Sequence, residues 1–142
     1  MDDCHDDLIT EQRVLCGGCA LNRCGLVYYN SAHLDLMTAF AELDGCPLYY
    51  VTYYYFSEID TENWVEPEES NPLLLKPTKE RAIVEYLKNE KWCDEGLLIE
   101  ALKNYLEQFR NDEELYRVAD FYGLERSTLD YWIQEAINDT EI

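Results

Sequence analysis

From Pro77 onward, capping residues and apolar stripes alternate at helical spacing, and this punctuation leaves few folds open. Thr78, directly after the proline, is placed to cap a helix whose apolar positions Ala82, Ile83, Tyr86 and Leu87 recur at three- and four-residue steps and which ends near Lys91. Asp94 caps a second, along which Leu98, Ala101, Leu102, Tyr105, Leu106 and Phe109 form one stripe. Asp112 opens a third, carrying Leu115, Val118, Ala119 and Tyr122, and Gly123 stops it where a left-handed residue is required. Ser127 caps a fourth, with Leu129, Trp132, Ile133, Ala136 and Ile137 inward. Connections this short predict a compact helical bundle over residues 77–142.

Residues 1–76 are mixed. "CPLYYVTYYYFSEI" is rich in Tyr, Val, Thr and Phe and carries no helical cap, which predicts a strand of about eight to ten residues. Its tyrosines lie on both faces, as strand propensity with half-burial would give. An exposed tyrosine face is the alternative, and it makes Tyr53, Tyr54 and Tyr55 candidate partner-binding residues. "NPLLLKP" predicts a second short strand, and "ENWVEPEESNP" before it a charged loop. In "SAHLDLMTAFAELDG", Ser31 as cap, Leu36, Met37, Phe40 and Leu43 as stripe and Gly45 as stop favour a helix, although Leu34 and Leu36 also alternate as in a strand. The expected class is α/β, of the α+β kind. A small N-terminal strand region packs on a C-terminal bundle of about four short helices, as one domain over residues 1–142.

Eleven Lys and Arg stand against thirty Asp and Glu, a formal charge of −19 on a chain that is 47% hydrophobic and 13% aromatic. A single-sign field of this size repels phosphate backbones and attracts basic surfaces, so the expected partner is a protein with a basic surface rather than free DNA or RNA. The aromatic content argues for a folded body rather than a disordered acidic segment. No apolar run approaches the ~20 residues that span a bilayer. "MDDCHDDLIT" is acidic where a secretory signal is basic, so a cytoplasmic protein is expected.

"LCGGCALNRCGL" places Cys16, Cys19 and Cys24 close together, and the first two have the Cys-x-x-Cys spacing of zinc knuckles and redox motifs. A structural zinc site needs four ligands, usually as two close pairs. Here Cys46 and Cys93 are isolated, and His5 and His33 are the only histidines. A redox site needs a preceding strand, which Leu8 to Leu15 do not suggest. The remaining reading makes the three cysteines small apolar fillers on a short helix that Gly25 ends. His5, near the terminus, and His33, in the first turn of the expected helix, do not form a nucleophile–base pair with any cysteine. No phosphate-binding glycine loop or His-Glu-x-x-His pattern occurs. A non-enzymatic protein without a cofactor is therefore expected.

Ala119, Gly123 and Leu129 match the skeleton of a helix-turn-helix. Its second helix would present Glu125, Arg126, Ser127, Asp130, Tyr131 and Gln134, a set with one cation and two anions, poorly suited to phosphate contacts. A helical hairpin used only for packing is the other reading.

Two stretches resemble a family. "CALNRCGLV", through Ala20, Leu21, Gly25 and Leu26, is similar to the Ala-Leu-x-x-x-Gly-Leu segment of AbiEi-type antitoxins from bacterial abortive-infection systems. "KPTKERAIVEYL", through Glu80, Arg81, Ala82 and Ile83, is similar to that family's Glu-Arg-Ala-Leu/Ile helix start. "DEGLLIEALKNYL" and "EELYRVADFYGL" resemble the helices that follow, so that the likeness runs from Val14 to Ala136. The resemblance implies a toxin–antitoxin protein, without enzymatic activity, that neutralises a nucleotidyltransferase-type toxin by protein–protein contact. Family members commonly carry an N-terminal winged-helix domain that binds operator DNA. This chain begins almost directly at the region resembling the second domain, so autoregulation is not expected from it. Arg81 is expected to pair with a helix-end acid rather than to touch the partner. Two other classes stay open: an acidic nucleic-acid mimic that inhibits a defence nuclease, of the kind phages use, and a helix-turn-helix regulator.

Overall fold

A computed structural model describes residues 9–28, 33–45, 47–48, 51–89 and 94–140. The fold is α+β with a helical C-terminal part. In chain order the elements are β1 (Arg13–Val14), α1 (Gly17–Arg23), β2 (Leu34–Thr38), β3 (Pro47–Leu48), β4 (Val51–Tyr55), β5 (Val65–Pro67), β6 (Leu74–Pro77), α2 (Lys79–Lys88), α3 (Glu95–Gln108), α4 (Asp112–Tyr122) and α5 (Arg126–Thr140).

The strands form two small sheets. In one the order is β1-β6-β5, with β6 parallel to β1 and antiparallel to β5; in the other it is β2-β4-β3, with β4 parallel to β2 and antiparallel to β3. An antiparallel bridge between Leu15 and Leu36, with the Cys16 N–H donating to Asp35 O at 2.9 Å, joins them. Successive strand residues point to opposite faces, and both faces are covered. Leu15, Leu34, Leu36, Val51 and Leu74 enter the main core with α1 and the C-terminal helices, whereas Val14, Met37 and Leu75 form a second cluster with Cys16 on the other side. Full burial of a Leu or Val contributes roughly 1.5–3 kcal/mol, so the main core, shared between strands and helices, holds both halves of the chain together.

This double coverage explains the largest departure from the sequence reading. Residues 33–45 do not form the expected helix: Leu34–Thr38 is a strand, followed by a 3-10 turn at Ala41–Leu43, and the expected cap Ser31 lies outside the described residues. All five residues of β2 are buried, so the alternation begun by Leu34, Asp35 and Leu36 is broken by the apolar Met37 and never marks an exposed face. The tyrosine-rich stretch is not one strand but two, β3 and the five-residue β4 paired antiparallel, while Tyr49 and Tyr50 between them lie outside the described residues. The charged loop contains β5, which pairs Val65 with Pro77 and Glu66 with Lys76. "NPLLLKP" supplies β6.

The helices start where side chains satisfy their first N–H groups. Thr78 accepts from the Arg81 N–H at 3.3 Å, Asp94 from the Leu97 N–H at 3.0 Å, and Asn111 from the Glu114 N–H at 3.2 Å. The third helix thus opens at Asp112 with Asn111 as its cap. The fourth begins at Arg126, one turn position ahead of the expected cap, with the Leu129 N–H bonded to Glu125 O; Ser127 lies inside it. The first of the bundle helices stops at Lys88, short of Lys91, and Phe109 closes α3 exposed rather than in the core.

Candidate functional site

The Cys-x-x-Cys spacing invites chemistry. A strand does precede the Cys-x-x-Cys pair, contrary to the reading of residues Leu8 to Leu15: β1 leads into Cys16, which sits at the N-terminus of α1. Cys16 makes no side-chain cap. The buried Asp35 takes that role from the neighbouring strand, its Oδ2 accepting the Cys19 N–H at 3.2 Å. Cys16, Cys19 and Cys24 are buried, and none of them is in a disulfide. Burial, reinforced by the Asp35 and Glu85 carboxylates, pushes the Cys16 thiol well above its ordinary pKa. The Cys24 thiol donates to Pro77 O at 3.1 Å, and burial pushes it up to about 12 although Lys76 and Lys79 oppose the shift. A thiolate is the nucleophile and the metal ligand, and these surroundings hold the thiol form. Among the described residues no group of three or more His, Cys, Asp or Glu side chains is arranged to hold a metal ion. His33 stands at the head of β2, not in a helix, with Nε2 2.6 Å from Thr52 Oγ1; His5, Cys46 and Cys93 lie outside the described residues.

The tyrosine segment pairs with β2 on one side, Tyr53, Tyr54 and Tyr55 standing opposite Leu36, Met37 and Thr38, while β3 reaches only Val51 and Thr52 on the other. Tyr53, Tyr54 and Tyr55 are all half-buried, Tyr53 packing on the main core and Tyr54 on the second cluster. Arg13 lies over the Tyr53 ring, 6.0 Å from its centroid.

The two family-like motifs are brought together. Ala20 and Leu21 on α1 and Leu26 just beyond it are buried in the main core with Ala82 and Ile83 of α2. The spacing within the first motif is that of a helix terminus. The Leu26 N–H bonds to Leu21 O at 3.0 Å and the Gly25 N–H to Asn22 O at 2.9 Å, while Gly25 holds φ at +80°. Glu80 accepts from the Tyr105 hydroxyl at 2.8 Å, tying α2 to α3.

Among the described residues Arg81 is the largest fully buried side chain, 0% exposed. It pairs with Glu85 in the middle of its own helix rather than with a helix-end acid: Nε lies 3.2 Å from Glu85 Oε2, without the alignment of a hydrogen bond. Its Nη1 donates to Asn63 O at 2.8 Å, and its guanidinium carbon sits 5.3 Å from the Tyr122 ring centroid. Glu85 Oε1 is buried and accepts no hydrogen bond among the described residues. Burial pushes this carboxyl up, and the Arg81 charge only partly opposes it. Beside it, burial tends to raise Asp60. Hydrogen bonds from the Glu62 and Asn63 N–H groups, the Asn63 side chain and the Tyr122 hydroxyl outweigh that and bring it to about 2.

The sequence reading missed the neighbours of this network. Trp64 holds φ at +53°, an uncommon conformation for a bulky residue, and donates from Nε1 to Glu114 Oε2 at 2.7 Å. Its ring meets Phe121 edge-on at 5.1 Å, and Phe121 is 57% exposed. A signal for Phe121 was present: it is an aromatic residue beside Asp120, off the Leu115–Val118–Ala119–Tyr122 stripe of an otherwise polar face. Nothing in a linear reading points to Trp64.

The helix-turn-helix skeleton is also present as a helix terminus. Gly123 holds φ at +80°, the Leu124 N–H bonds to Ala119 O at 2.8 Å, and both Ala119 and Leu129 are buried. Glu125, Arg126, Ser127, Asp130, Tyr131 and Gln134 are all exposed. Arg126, the one cation of that set, is occupied by both oxygens of Asp120 at 3.1 and 2.7 Å. The Tyr116 hydroxyl donates to Asp130.

No family model, curated protein or solved structure matches the chain. Among the described residues no helix is long and apolar enough to cross a membrane.

Proposed function

We propose that this chain is a non-enzymatic, antitoxin-like binding protein that acts in the cytoplasm by docking onto a nucleotidyltransferase-type toxin, or a comparable effector with a basic surface. The observation that carries this reading is where the cations go. Arg13, Arg23, Arg81, Lys103, Arg110, Arg117 and Arg126 each have a carboxylate of the same chain within 4.0 Å. Positive charge is thus largely neutralised internally, and the excess of acid that gives −19 is what a partner meets. Packing of the two family-like motifs on each other as α1 and the start of α2 supports the same assignment. Arg81 belongs to that internal framework and not to the docking face.

The test is to express the neighbouring gene's product alone and together with this chain. Restored growth and a co-purifying complex are expected; a product that stays fully toxic and unbound overturns the proposal. A promoter fragment shifted by the chain at low salt would favour the regulator instead.

A further inference from the structure

Phe121 stands between two clefts. One, of about 550 Å³, is bordered by Phe56, Glu58, Asp60, Glu85, Lys88 and Tyr122; the other, of about 660 Å³, by Glu62, Asn63, Trp64, Arg117 and Asp120, and Phe121 lines both. The first therefore carries three carboxylates against one lysine, with Arg81 already paired to Glu85 behind it. In the second, Arg117 is held by Glu114 at 2.6 Å and Asp120 by Arg126, leaving Glu62 exposed at the rim. Glu85 lines the first cleft with its side chain 13% exposed, and its Oε1, itself buried, has no donor among the described residues.

The platform is braced by hydrogen bonds and ring contacts. Trp64 is locked in its left-handed backbone conformation by bonds on three sides: Arg81 Nη1 to the preceding carbonyl, its own Nε1–H to Glu114, and the Thr78 N–H to Trp64 O at 2.9 Å. Tyr122 meets Phe121 edge-on at 5.0 Å. Backbone strain maintained by surrounding contacts concentrates at sites of function, and an exposed aromatic ring on a fixed base, rimmed by charge, has the anatomy of an interface anchor.

We propose that Phe121 and its two clefts form a docking surface for a basic segment of another protein, which seats an apolar side chain on Phe121 and a cationic side chain in the acid-lined cleft beside it. The occupant follows from charge complementarity: carboxylates outnumber cations in the first cleft, on a chain of charge −19. Aromatic walls from Phe56, Phe121 and Tyr122 also favour a guanidinium or ammonium group. The inference rests on the reading above in taking the partner to be a protein, and it adds the place and the chemistry of contact.

Two measurements separate its failure from failure of that reading. In the first, the 15N-labelled chain is titrated with a fluorescein-labelled peptide of Arg-Leu-Arg units and with its Glu-Leu-Glu counterpart. Binding of the basic peptide alone is expected, with shifts concentrated in residues 56–64, 85–89 and 120–122. Phe121→Ala and the exposed-site pair Glu58→Lys/Glu62→Lys each weaken it tenfold or more, while Tyr131→Ala, at an aromatic equally exposed on α5, leaves it unchanged. Absent binding, shifts spread over the acidic surface, or equal effects at Phe121 and Tyr131 overturn the docking surface. So does a dimer of the free chain that Phe121→Ala dissociates, since that assigns the face to a second copy. In the second, the neighbouring gene's product is tested against wild type and Phe121→Ala: equal binding leaves the functional reading standing and removes this one. A product that binds neither, while the peptide maps to the clefts, does the reverse.

Discussion

Replacing Arg81 by Met removes a fully buried charge while keeping an unbranched side chain in its place, so the loss reports electrostatics more than volume. Three attachments go: the ion pair to Glu85 at 3.2 Å, the bond to Asn63 O at 2.8 Å, and the contact with the Tyr122 ring at 5.3 Å. Glu85, only 13% exposed, is left without its cation. Removing one partner of a buried pair costs about 3–5 kcal/mol, which for a urea slope of about 2 kcal/mol per molar is a midpoint shift of roughly 1.5–2.5 M. The cost depends on pH, and its sign follows from Glu85. Burial raises this carboxyl above its ordinary value of 4.5 in the folded state, with Arg81 opposing. The folded chain therefore binds more protons than the unfolded one from about that pH upward, and this group's contribution to stability falls as pH rises through the window. Without Arg81 the opposition is gone, so the deficit of the variant deepens towards neutral pH and shrinks on acidification below pH 4.5. Removing the other partner as well, in Arg81→Met/Glu85→Leu, returns stability to within about 1 kcal/mol of wild type. Urea unfolding followed by circular dichroism at pH 4 and pH 7 measures all three. A single variant that loses under ~1 kcal/mol at pH 7, or whose deficit is the same at both pH values, would refute the reasoning.

Two further outcomes are expected. With the Cys24 thiol at about 12 and Cys16 also raised, both buried, iodoacetamide at pH 8 leaves Cys16 and Cys24 unmodified in the folded chain and alkylates them in urea, as peptide mass spectrometry would show; rapid native alkylation contradicts their role as packed thiols. Gly123→Ala meets no atom within 4 Å of the added Cβ, so its cost is conformational alone, about 1–2 kcal/mol in urea unfolding, and no loss would mean that the left-handed cap is not required.

The helices were legible because their determinants are local. Thr78 and Asp94 cap as their positions in the chain imply, and Gly123 stops α4 at φ +80°. Of the strands, β4 and β6 were legible in "CPLYYVTYYYFSEI" and "NPLLLKP", whereas β2 was not: its partners come from distant chain, it is buried on both faces, and Met37 breaks the Leu34–Leu36 alternation after two positions. Similarly, the sequence placed Arg81 in a motif without showing that Asn63 and Tyr122 close around it. Trp64 became noticeable only through its backbone angle and its contact with Phe121. The surface left for a partner is set by which cations are already spent on internal pairs, and that depends on contacts such as Arg23 with Glu68 at 2.7 Å, far apart in sequence.

The most direct measurement of the central claim is isothermal titration of the purified chain into the purified product of the neighbouring gene, at 50 and 300 mM salt, with residual toxin activity read from the same samples. Docking through an acidic face predicts a saturable complex that weakens as salt rises and toxin activity that falls in proportion to occupancy. No heat of binding at low salt, together with toxin activity unchanged at excess chain, would contradict it.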